Sequence, residues 1–207
     1  MKKYDSIIFD LDGTIWDSVE CVVAIWNNAL VEAGIEPTMT YDELSRCMGL
    51  RIEQIFDQVI PQATKAQREI VKASCKKNEQ KYLAEHGGIL YDKVEQTLET
   101  LSQTHRLFIV SNCEDSYING FFQAHGLRRF FEDYECAGRT GLSKGKNIAL
   151  IVERNKLNAP VYIGDTLTDY EAAVQADVPF IHAAYGFGEL GSAITAAKSF
   201  EEIIQLV

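Results

Sequence analysis

The sequence has no long hydrophobic run and no excess of positive charge. No apolar stretch approaches the roughly 20 residues that a membrane-spanning helix needs, and the first five residues lack the apolar segment of a signal peptide. The chain has 20 Lys and Arg against 30 Asp and Glu, a net charge of −10. Because nucleic acids and anionic membranes attract positive patches, we expect neither as a partner. We expect a cytoplasmic protein.

Paired cysteines and internal repeats are also absent. The five cysteines include no C-x-x-C pair, so the pattern indicates neither a disulfide framework nor a zinc site, and we expect free thiols. With 207 residues, of which 46% are hydrophobic, the chain is long enough for one medium domain or for a core domain with a modest insertion.

Short apolar runs that end in polar residues predict buried strands. The clearest are Ser6 to Asp10, Leu107 to Ser111 and Val161 to Asp165, and the weaker ones are Tyr134 to Ala137 and Val178 to His182. Continuous apolar runs are typical of parallel strands covered on both faces. Helical spacing between the later strands indicates βαβ units and therefore an α/β, doubly wound sheet. A capping-box pattern at residues 199 to 202 predicts the start of the last helix.

A helical insertion is predicted after the first strand. About 80 residues separate that strand from the helix near Lys93, far more than the dozen or so that a crossover needs. Apolar residues from Val19 to Leu30 follow helical spacing, and a long helix is predicted from about residue 63 to 84. No second strand-rich stretch occurs there, so we expect an all-helical subdomain.

The predicted domain boundaries follow from this insertion. We expect an α/β core at residues 1–15 and 88–207 and a helical cap at 16–87. The segments Ile15 to Ser18 and His86 to Gly88 are the predicted outgoing and returning hinges.

Two carboxylates follow the first predicted strand. Open α/β sheets bind ligands at the carboxyl ends of their strands, and residues two apart on an extended chain point the same way, so Asp10 and Asp12 should face one site. Carboxylates this close stay ionised only beside a cation or when one of them is protonated. The pair therefore predicts Mg²⁺, an acid/base pair, or both. Gly13 permits a sharp turn, and Thr14 adds a hydroxyl for phosphate binding.

The strand ending at Gly164 is followed by two further acids, Asp165 and Asp169. Four carboxylates at one sheet edge would form an oxygen-rich site of the kind that Mg²⁺ accepts. Asp169 has a second interpretation, stabilisation of the first turn of the next helix, and both roles stay open.

Phosphate-binding groups are predicted beside these acids. Ser111 and Asn112 follow another strand and offer a hydroxyl and backbone N–H groups near a helix start. Lys144 offers a cation that would neutralise phosphate charge. In the insertion, Arg51 could bind a second anionic group of the substrate or be a solvated charge at a helix start; both interpretations stay open.

The order Asp10-x-Asp12-Gly13-Thr14, Val110-Ser111-Asn112, Lys144 and Gly164-Asp165-x₃-Asp169 resembles the haloacid dehalogenase-like hydrolase superfamily over nearly the whole chain. The insertion is similar to the helical cap of its phosphoglycolate phosphatase-like and β-phosphoglucomutase-like members. The resemblance implies a Rossmann-like core and a Mg²⁺-dependent phosphatase acting on a small phosphorylated metabolite. It also implies that Asp10 forms an aspartyl-phosphate and that Asp12 is the acid/base. Ser111 and Lys144 would hold the phosphoryl group, and the implied Mg²⁺ ligands are Asp10, the Asp12 carbonyl and Asp165. Many relatives have Pro where this chain has Gly145.

Other functions share some of these features. A phosphomutase of the same superfamily would share every motif. A receiver-type phospho-acceptor also uses Asp, Ser or Thr, Lys and Mg²⁺, but the Asp10 and Asp12 pair on the first strand and the long insertion argue against it. Residues 186 to 191 match G-x-G-x-x-G, yet too few residues follow for a dinucleotide-binding unit.

Overall fold

The short apolar runs form one parallel sheet. The computed structural model describes residues 3–207. Its strands, in chain order, are β1 (Ser6–Phe9), β2 (Trp16–Asp17), β3 (Ile89–Leu90), β4 (Arg106–Ser111), β5 (Asp133–Cys136), β6 (Pro160–Gly164), β7 (Phe180–Ala183) and β8 (Ala196–Ala197). Six of them pair in the order β5-β4-β1-β6-β7-β8, and every pair is parallel. The strand β8, which the sequence pattern did not predict, extends one edge.

Helices cover both faces of this sheet. In chain order they are α1 (Val19–Glu32), α2 (Tyr41–Ser45), α3 (Ile52–Val59), α4 (Lys65–His86), α5 (Val94–Ser102), α6 (Asp115–His125), α7 (Ala137–Thr140), α8 (Lys144–Asn155), α9 (Leu167–Gln175) and α10 (Ile203–Leu206), with a 3₁₀ turn at Leu127–Phe130. Alternate residues of β1 face opposite layers. Ile7 and Phe9 pack with α5, α6 and α10, whereas Ile8 packs with α8 and α9. The predicted doubly wound parallel sheet is confirmed.

The insertion is helical, as predicted. Helices α1 to α4 all lie between β2 and β3, and these two strands pair antiparallel, with Trp16 opposite Leu90 and Asp17 opposite Ile89. The predicted outgoing hinge is thus hydrogen-bonded to the two residues that follow the predicted returning hinge. Gly88 permits this approach, because a Cβ there would lie 2.6 Å from the carbonyl oxygen of Asp17. The division into a core and a cap with the boundaries given above stays a prediction.

The insertion rests on the core through two crossing helices. Helix α4 packs on α6, and a Cβ at Gly120 of α6 would lie 2.8 Å from the Cβ of Leu83 on α4. The absence of a side chain at Gly120 therefore permits this close crossing. The helices of the insertion and the core share one hydrophobic cluster, which includes Trp26, Phe56, Leu83, Ile118 and Phe121.

The prediction for the start of the last helix is wrong. Helix α10 begins at Ile203, with no side-chain cap, and the carboxylate of Glu202 accepts a hydrogen bond from the N–H of Lys198 at 2.7 Å. Ser199 and Glu202 therefore form no capping box, because the segment before Ile203 is a turn that buries Phe200 against Phe9. The five cysteines are free, as expected. Within residues 3–207, no helix combines the length and the apolar character that crossing a bilayer requires.

Candidate active site

Three buried carboxylates converge at the carboxyl ends of β1 and β6. Asp10 follows β1, Asp165 follows β6, and Asp169 lies in the first turn of α9. One oxygen of each lies within 4.8 Å of the others, and all three side chains are buried. The parallel register of β1 and β6, in which Phe9 lies opposite Ile163, brings these chain-distant acids together. Asp12, also predicted as a metal ligand, contributes no carboxylate to this cluster.

Glycines hold Asp165 in place. A Cβ at Gly13 would lie 2.1 Å from Oδ2 of Asp165, and one at Gly186 would lie 2.4 Å from its Cβ, so only glycine fits on either side. The N–H of Phe187 donates to Oδ2 at 2.8 Å. The G-x-G-x-x-G stretch thus begins as a loop that packs on Asp165. Oδ1 of Asp165 is buried and has no hydrogen-bond partner among the described residues.

Lys144 is the buried cation of the cluster. It lies in the first turn of α8, and its Nζ is 3.0 Å from Oδ1 of Asp10 and 2.6 Å from Oδ1 of Asp169. Asp169 also accepts from the hydroxyl of Tyr162 at 3.1 Å and from that of Thr166, the N-cap of α9, at 2.6 Å. Asp169 therefore caps α9, which is one of the two roles predicted for it, and also belongs to the acidic cluster. Its ligation of a metal stays a prediction.

Gly145, which directly follows Lys144, has a packing role. A Cβ at this position would lie 2.9 Å from the carbonyl oxygen of Ala172 on α9. Glycine therefore lets the first turn of α8 approach α9 and sets the position of Lys144.

The cluster carries more negative charge than Lys144 compensates. Burial, together with the charge of Asp169, raises the pKa of Asp165 to about 7. Burial likewise raises the pKa of Asp10 well above its usual range, with Asp169 adding to the effect. Burial opposes the charge of Lys144, but Asp10 and Asp169 raise its pKa. Two buried acids that resist ionisation, one with an unpartnered oxygen, fit a hard divalent cation.

Asp12 is held away from that cluster by three donors. Its Oδ1 accepts from Nε1 of Trp16 at 2.9 Å, Oγ of Ser18 at 2.6 Å and the hydroxyl of Tyr117 at 2.7 Å. Burial raises the pKa of Asp12, and the three hydrogen bonds oppose that shift. All three bonds fall on Oδ1, so Oδ2 carries none of them. A fixed carboxyl group with a raised pKa is suited to exchange a proton.

A cavity of about 370 Å³ lies between this sheet edge and the insertion. Asp10, Asp12 and Ser111 line its core side. The insertion contributes an apolar wall of Val22, Ile25, Trp26, Met48, Leu50, Ile52 and Ile55. The arrangement places reactive carboxylates inside a cavity that accommodates a small molecule.

Two of the residues predicted to bind substrate have other contacts in the structure, and a third lies outside the cavity lining. Nδ2 of Asn112 donates to the carbonyl oxygen of Gly49 at 2.8 Å, and Nη2 of Arg51 donates to that of Gly141 at 3.4 Å. Both side chains line the cavity and link the insertion to the core. Thr14 is fully buried and is not among the lining residues, and its hydroxyl has no partner within residues 3–207.

Sequence reasoning missed Tyr117, which donates a hydrogen bond to Asp12, and one acid of the insertion. Tyr117 lies 105 positions after Asp12, and no local pattern connects the two. Glu79 of α4 is buried and lines the cavity. A signal for Glu79 existed, since it falls in the four-residue spacing of Val71, Cys75 and Leu83, where an apolar residue is expected.

Comparison with known proteins agrees with this architecture. The family model "haloacid dehalogenase-like hydrolase" matches residues 7–183. A phosphoglycolate phosphatase of Synechococcus elongatus is 30% identical, over 94% of this chain and 91% of that protein. A phosphoglycolate phosphatase of Agrobacterium fabrum is 26% identical, over 88% and 82%. In fold, the chain is similar to a haloacid dehalogenase-like family hydrolase from Streptococcus pneumoniae, with a TM-score of 0.81, 22% identity and complete coverage of both chains.

Proposed function

The chain belongs to the haloacid dehalogenase-like hydrolase family, and from this premise we propose that it is a Mg²⁺-dependent phosphatase that hydrolyses a small phosphate monoester through an aspartyl-phosphate on Asp10. The observation that carries the proposal is the position of Asp10. Its buried carboxylate lies 3.0 Å from Nζ of Lys144 at the cavity, with Asp12 fixed nearby.

The proposed metal ligands are Asp10 and Asp165, with the backbone carbonyl of Asp12 as the resemblance implies. Their fit rests on the unpartnered Oδ1 of Asp165 and on the raised pKa values of both acids. When bound, Mg²⁺ supplies positive charge that draws phosphoryl oxygens to Asp10. Asp169 borders the same cluster, but its oxygens already accept from Lys144, Tyr162 and Thr166, so its proposed role is to position Lys144.

In the first step, the Asp10 carboxylate attacks phosphorus and the ester P–O bond breaks. Lys144 and the hydroxyl of Ser111 reduce the negative charge that would repel this attack. Asp12 donates its proton to the departing alkoxide oxygen. The products are an alcohol and an aspartyl-phosphate, an acyl phosphate.

The second step releases phosphate. Asp12, now a carboxylate, takes a proton from the attacking water as that water adds to phosphorus. The bond between phosphorus and the Asp10 oxygen breaks, which regenerates the Asp10 carboxylate and releases inorganic phosphate. The proton that Asp12 took from the water restores its acid form for the next turnover. The hydrogen bonds from Trp16, Ser18 and Tyr117 keep Asp12 in position for both transfers.

The proposed substrate is a small phosphorylated compound, because the cavity holds about 370 Å³. Relatives of 26% and 30% identity are named as phosphoglycolate phosphatases, so phosphoglycolate is the reference ester for substrate tests. A cytoplasmic location and the absence of nucleic-acid and membrane partners stay predictions from charge and composition.

The substitutions Asp10→Asn and Asp12→Asn test the mechanism. An amide at position 10 cannot form the acyl phosphate, so we expect no turnover. Loss of a positioned acid/base typically costs on the order of 10² to 10⁴ in rate. With an aryl phosphate, whose leaving group barely needs protonation, Asp12→Asn should phosphorylate Asp10 and then stall. Rapid acid quench and mass spectrometry of the peptide containing Asp10 would detect the label.

Asp92→Asn is the matched control, because Asp92 is an exposed carboxylate of the core. It should retain wild-type turnover. The mechanism is wrong if neither wild type nor Asp12→Asn ever carries the phosphoryl label during turnover. It is equally wrong if Asp10→Asn keeps a substantial fraction of wild-type activity.

A further inference from the structure

Glu79 is a buried acid in a helix of the insertion, at the cavity. Its relative exposure is 8%, and it lies among the buried residues of α4, between Cys75 and Leu83. Its carboxylate accepts a hydrogen bond from Oγ of Ser116, in α6 of the core. Ser116 directly precedes Tyr117, which holds Asp12. Glu79 is therefore placed at the end of the cavity where the insertion meets the proposed acid/base.

The lysines that line the cavity form ion pairs with acids other than Glu79. Nζ of Lys72 lies 2.8 Å from Glu53, and Nζ of Lys76 lies 3.5 Å from Glu114. Within residues 3–207, no ion pair to Glu79 is closer than 4.0 Å. Burial raises the pKa of Glu79 to about 7, although the hydrogen bond from Ser116 and the charge of Lys76 oppose the shift. A carboxyl group that is buried without a cation has unused capacity to accept hydrogen bonds.

The rest of the lining offers little to a second substrate anion. Most of the insertion's contribution is apolar. Arg51 is the competing cation, and its guanidinium is 3.4 Å from the carbonyl oxygen of Gly141. Where Glu79 is ionised, above its pKa of about 7, a substrate carboxylate beside it would face a like charge in a partly desolvated cavity. A hydroxyl or ammonium group would instead complete the hydrogen bonding of Glu79.

We propose that Glu79 is a specificity-determining residue that selects phosphate esters whose leaving group carries a hydrogen-bond donor, a hydroxyl or an ammonium, and that disfavours a leaving group with a carboxylate. This inference rests on the proposed phosphatase function and names the substrate class. It sets this chain apart from relatives named for phosphoglycolate, whose leaving group carries a carboxylate.

Three esters with the same two-carbon skeleton isolate the terminal group. They are 2-hydroxyethyl phosphate, phosphoethanolamine and 2-phosphoglycolate. Each competes with p-nitrophenyl phosphate, whose turnover by the Mg²⁺-loaded enzyme is the signal, so that an ester is measured whether or not it is hydrolysed. The variants are Glu79→Gln and, as the matched control, Glu85→Gln, which removes an exposed carboxylate from the same helix.

Wild type should bind phosphoethanolamine and 2-hydroxyethyl phosphate about tenfold or more tightly than 2-phosphoglycolate. Glu79→Gln should reduce the ratio of ammonium to carboxylate affinity about tenfold or more, because the amide has no charge and also donates to a carboxylate. The competition is measured at pH 8, above the pKa of about 7 of Glu79, and the readout is the ratio of inhibition constants, which does not depend on the kcat of each variant for p-nitrophenyl phosphate. Glu85→Gln should leave the affinity ratio unchanged.

Two results would overturn the inference alone, namely preferential binding of 2-phosphoglycolate by wild type and an affinity ratio in Glu79→Gln equal to that of wild type. In both cases p-nitrophenyl phosphate is still hydrolysed, so the phosphatase proposal survives. No competition by any of the three esters would also reject the inference. No turnover of p-nitrophenyl phosphate with Mg²⁺ would instead reject the phosphatase proposal and this inference with it.

Discussion

At the scale of single residues, the site separates carboxylates by their surroundings. Asp10 lies beside Lys144 and the other acids of the cluster, whereas Asp12, two positions later, accepts three hydrogen bonds on one oxygen. In the proposed mechanism, the same functional group attacks phosphorus in one case and transfers a proton in the other. Glu79 is a third kind of carboxylate, since it is buried without an ion pair among the residues that the structure describes. Burial of its ionised form costs free energy of folding.

Glu79 should make the free energy of unfolding depend on pH. Its pKa is about 7 in the folded protein and near 4.5 when unperturbed, so the folded state binds more protons between these values. Stability therefore falls as pH rises from 4.5 to 7, and above pH 7 the full cost is on the order of 3 kcal/mol. Glu79→Gln removes this cost. Its melting temperature should exceed that of wild type at pH 8 and approach it near pH 5.

Thermal melts of both proteins across that pH range check the prediction. Other titrating groups are common to both proteins and cancel in the difference. The control Glu85→Gln should follow wild type at every pH, because Glu85 is exposed. A stability gain for Glu79→Gln that is independent of pH would mean that Glu79 does not ionise in this range.

At the scale of secondary-structure elements, the crossing of α4 over α6 positions the insertion over the site. Helix α4 carries Glu79, and α6 carries Ser116 and Tyr117. This one helix contact therefore brings together the proposed specificity residue and a hydrogen-bond donor to Asp12. Gly120 permits the crossing, because any Cβ there would meet Leu83 and the backbone of Gln80.

Gly120→Ala should therefore destabilise the protein. In an exposed helix, Gly to Ala gains up to about 1 kcal/mol from helix propensity. Here the Cβ would lie 2.8 Å from the Cβ of Leu83 and 3.2 Å from a backbone oxygen, so α4 must move away. We expect a net loss of about 1 to 3 kcal/mol in the free energy of unfolding, as overpacking in a core typically costs.

Chemical denaturation measures this loss, and activity toward p-nitrophenyl phosphate reports the displacement of α4. Gln123→Ala, on the exposed face of the same helix, should change stability by less than about 0.5 kcal/mol. If Gly120→Ala were more stable than wild type, the two helices would not be in the close contact described.

At the scale of the whole molecule, the acidic cluster joins distant parts of the chain. It combines the ends of β1 and β6 with the start of α9, and the chain carries a net charge of −10. A cation that binds only the folded protein stabilises the whole fold by mass action. At a cation concentration 100 times the dissociation constant, the free energy of unfolding rises by about 2.7 kcal/mol.

We therefore expect millimolar Mg²⁺ to raise the melting temperature of wild type. Asp165→Asn should lose most of that increase, because a site with one fewer carboxylate attracts a hard cation less strongly. Without Mg²⁺, this variant should be at least as stable as wild type, since it removes a buried acid whose pKa is about 7. Differential scanning calorimetry with Mg²⁺ and with a chelator provides both comparisons.

Glu171→Gln is the control for this measurement, because it removes an exposed carboxylate from α9 and leaves the cluster intact. Its increase with Mg²⁺ should equal that of wild type. If Mg²⁺ raised the melting temperature of Asp165→Asn as much as that of wild type, Asp165 would not be a metal ligand. Isothermal titration with Mg²⁺ would measure the same difference between the two proteins as a difference in affinity.

The sequence by itself determined the parallel sheet, the helical insertion and the order of the motifs. These features depend on local patterns. Continuous apolar runs predict buried strands, and the carboxyl end of a parallel strand is where Asp10, Ser111 and Asp165 must lie. Dependence on local pattern also explains why the predicted capping box at Ser199 and Glu202 is wrong. The segment instead forms a turn that buries Phe200 against β1.

Only the tertiary structure decided which side chains meet. The bond from Tyr117 to Asp12 spans 105 positions, and Asn112, expected at the phosphate, instead donates to Gly49 of the insertion. The pairing of β2 with β3 and the placement of Glu79 at the cavity depend on how the insertion packs on the core. Such contacts have no local signature, because a hydrogen bond depends on distance and direction in space, and helix packing determines both.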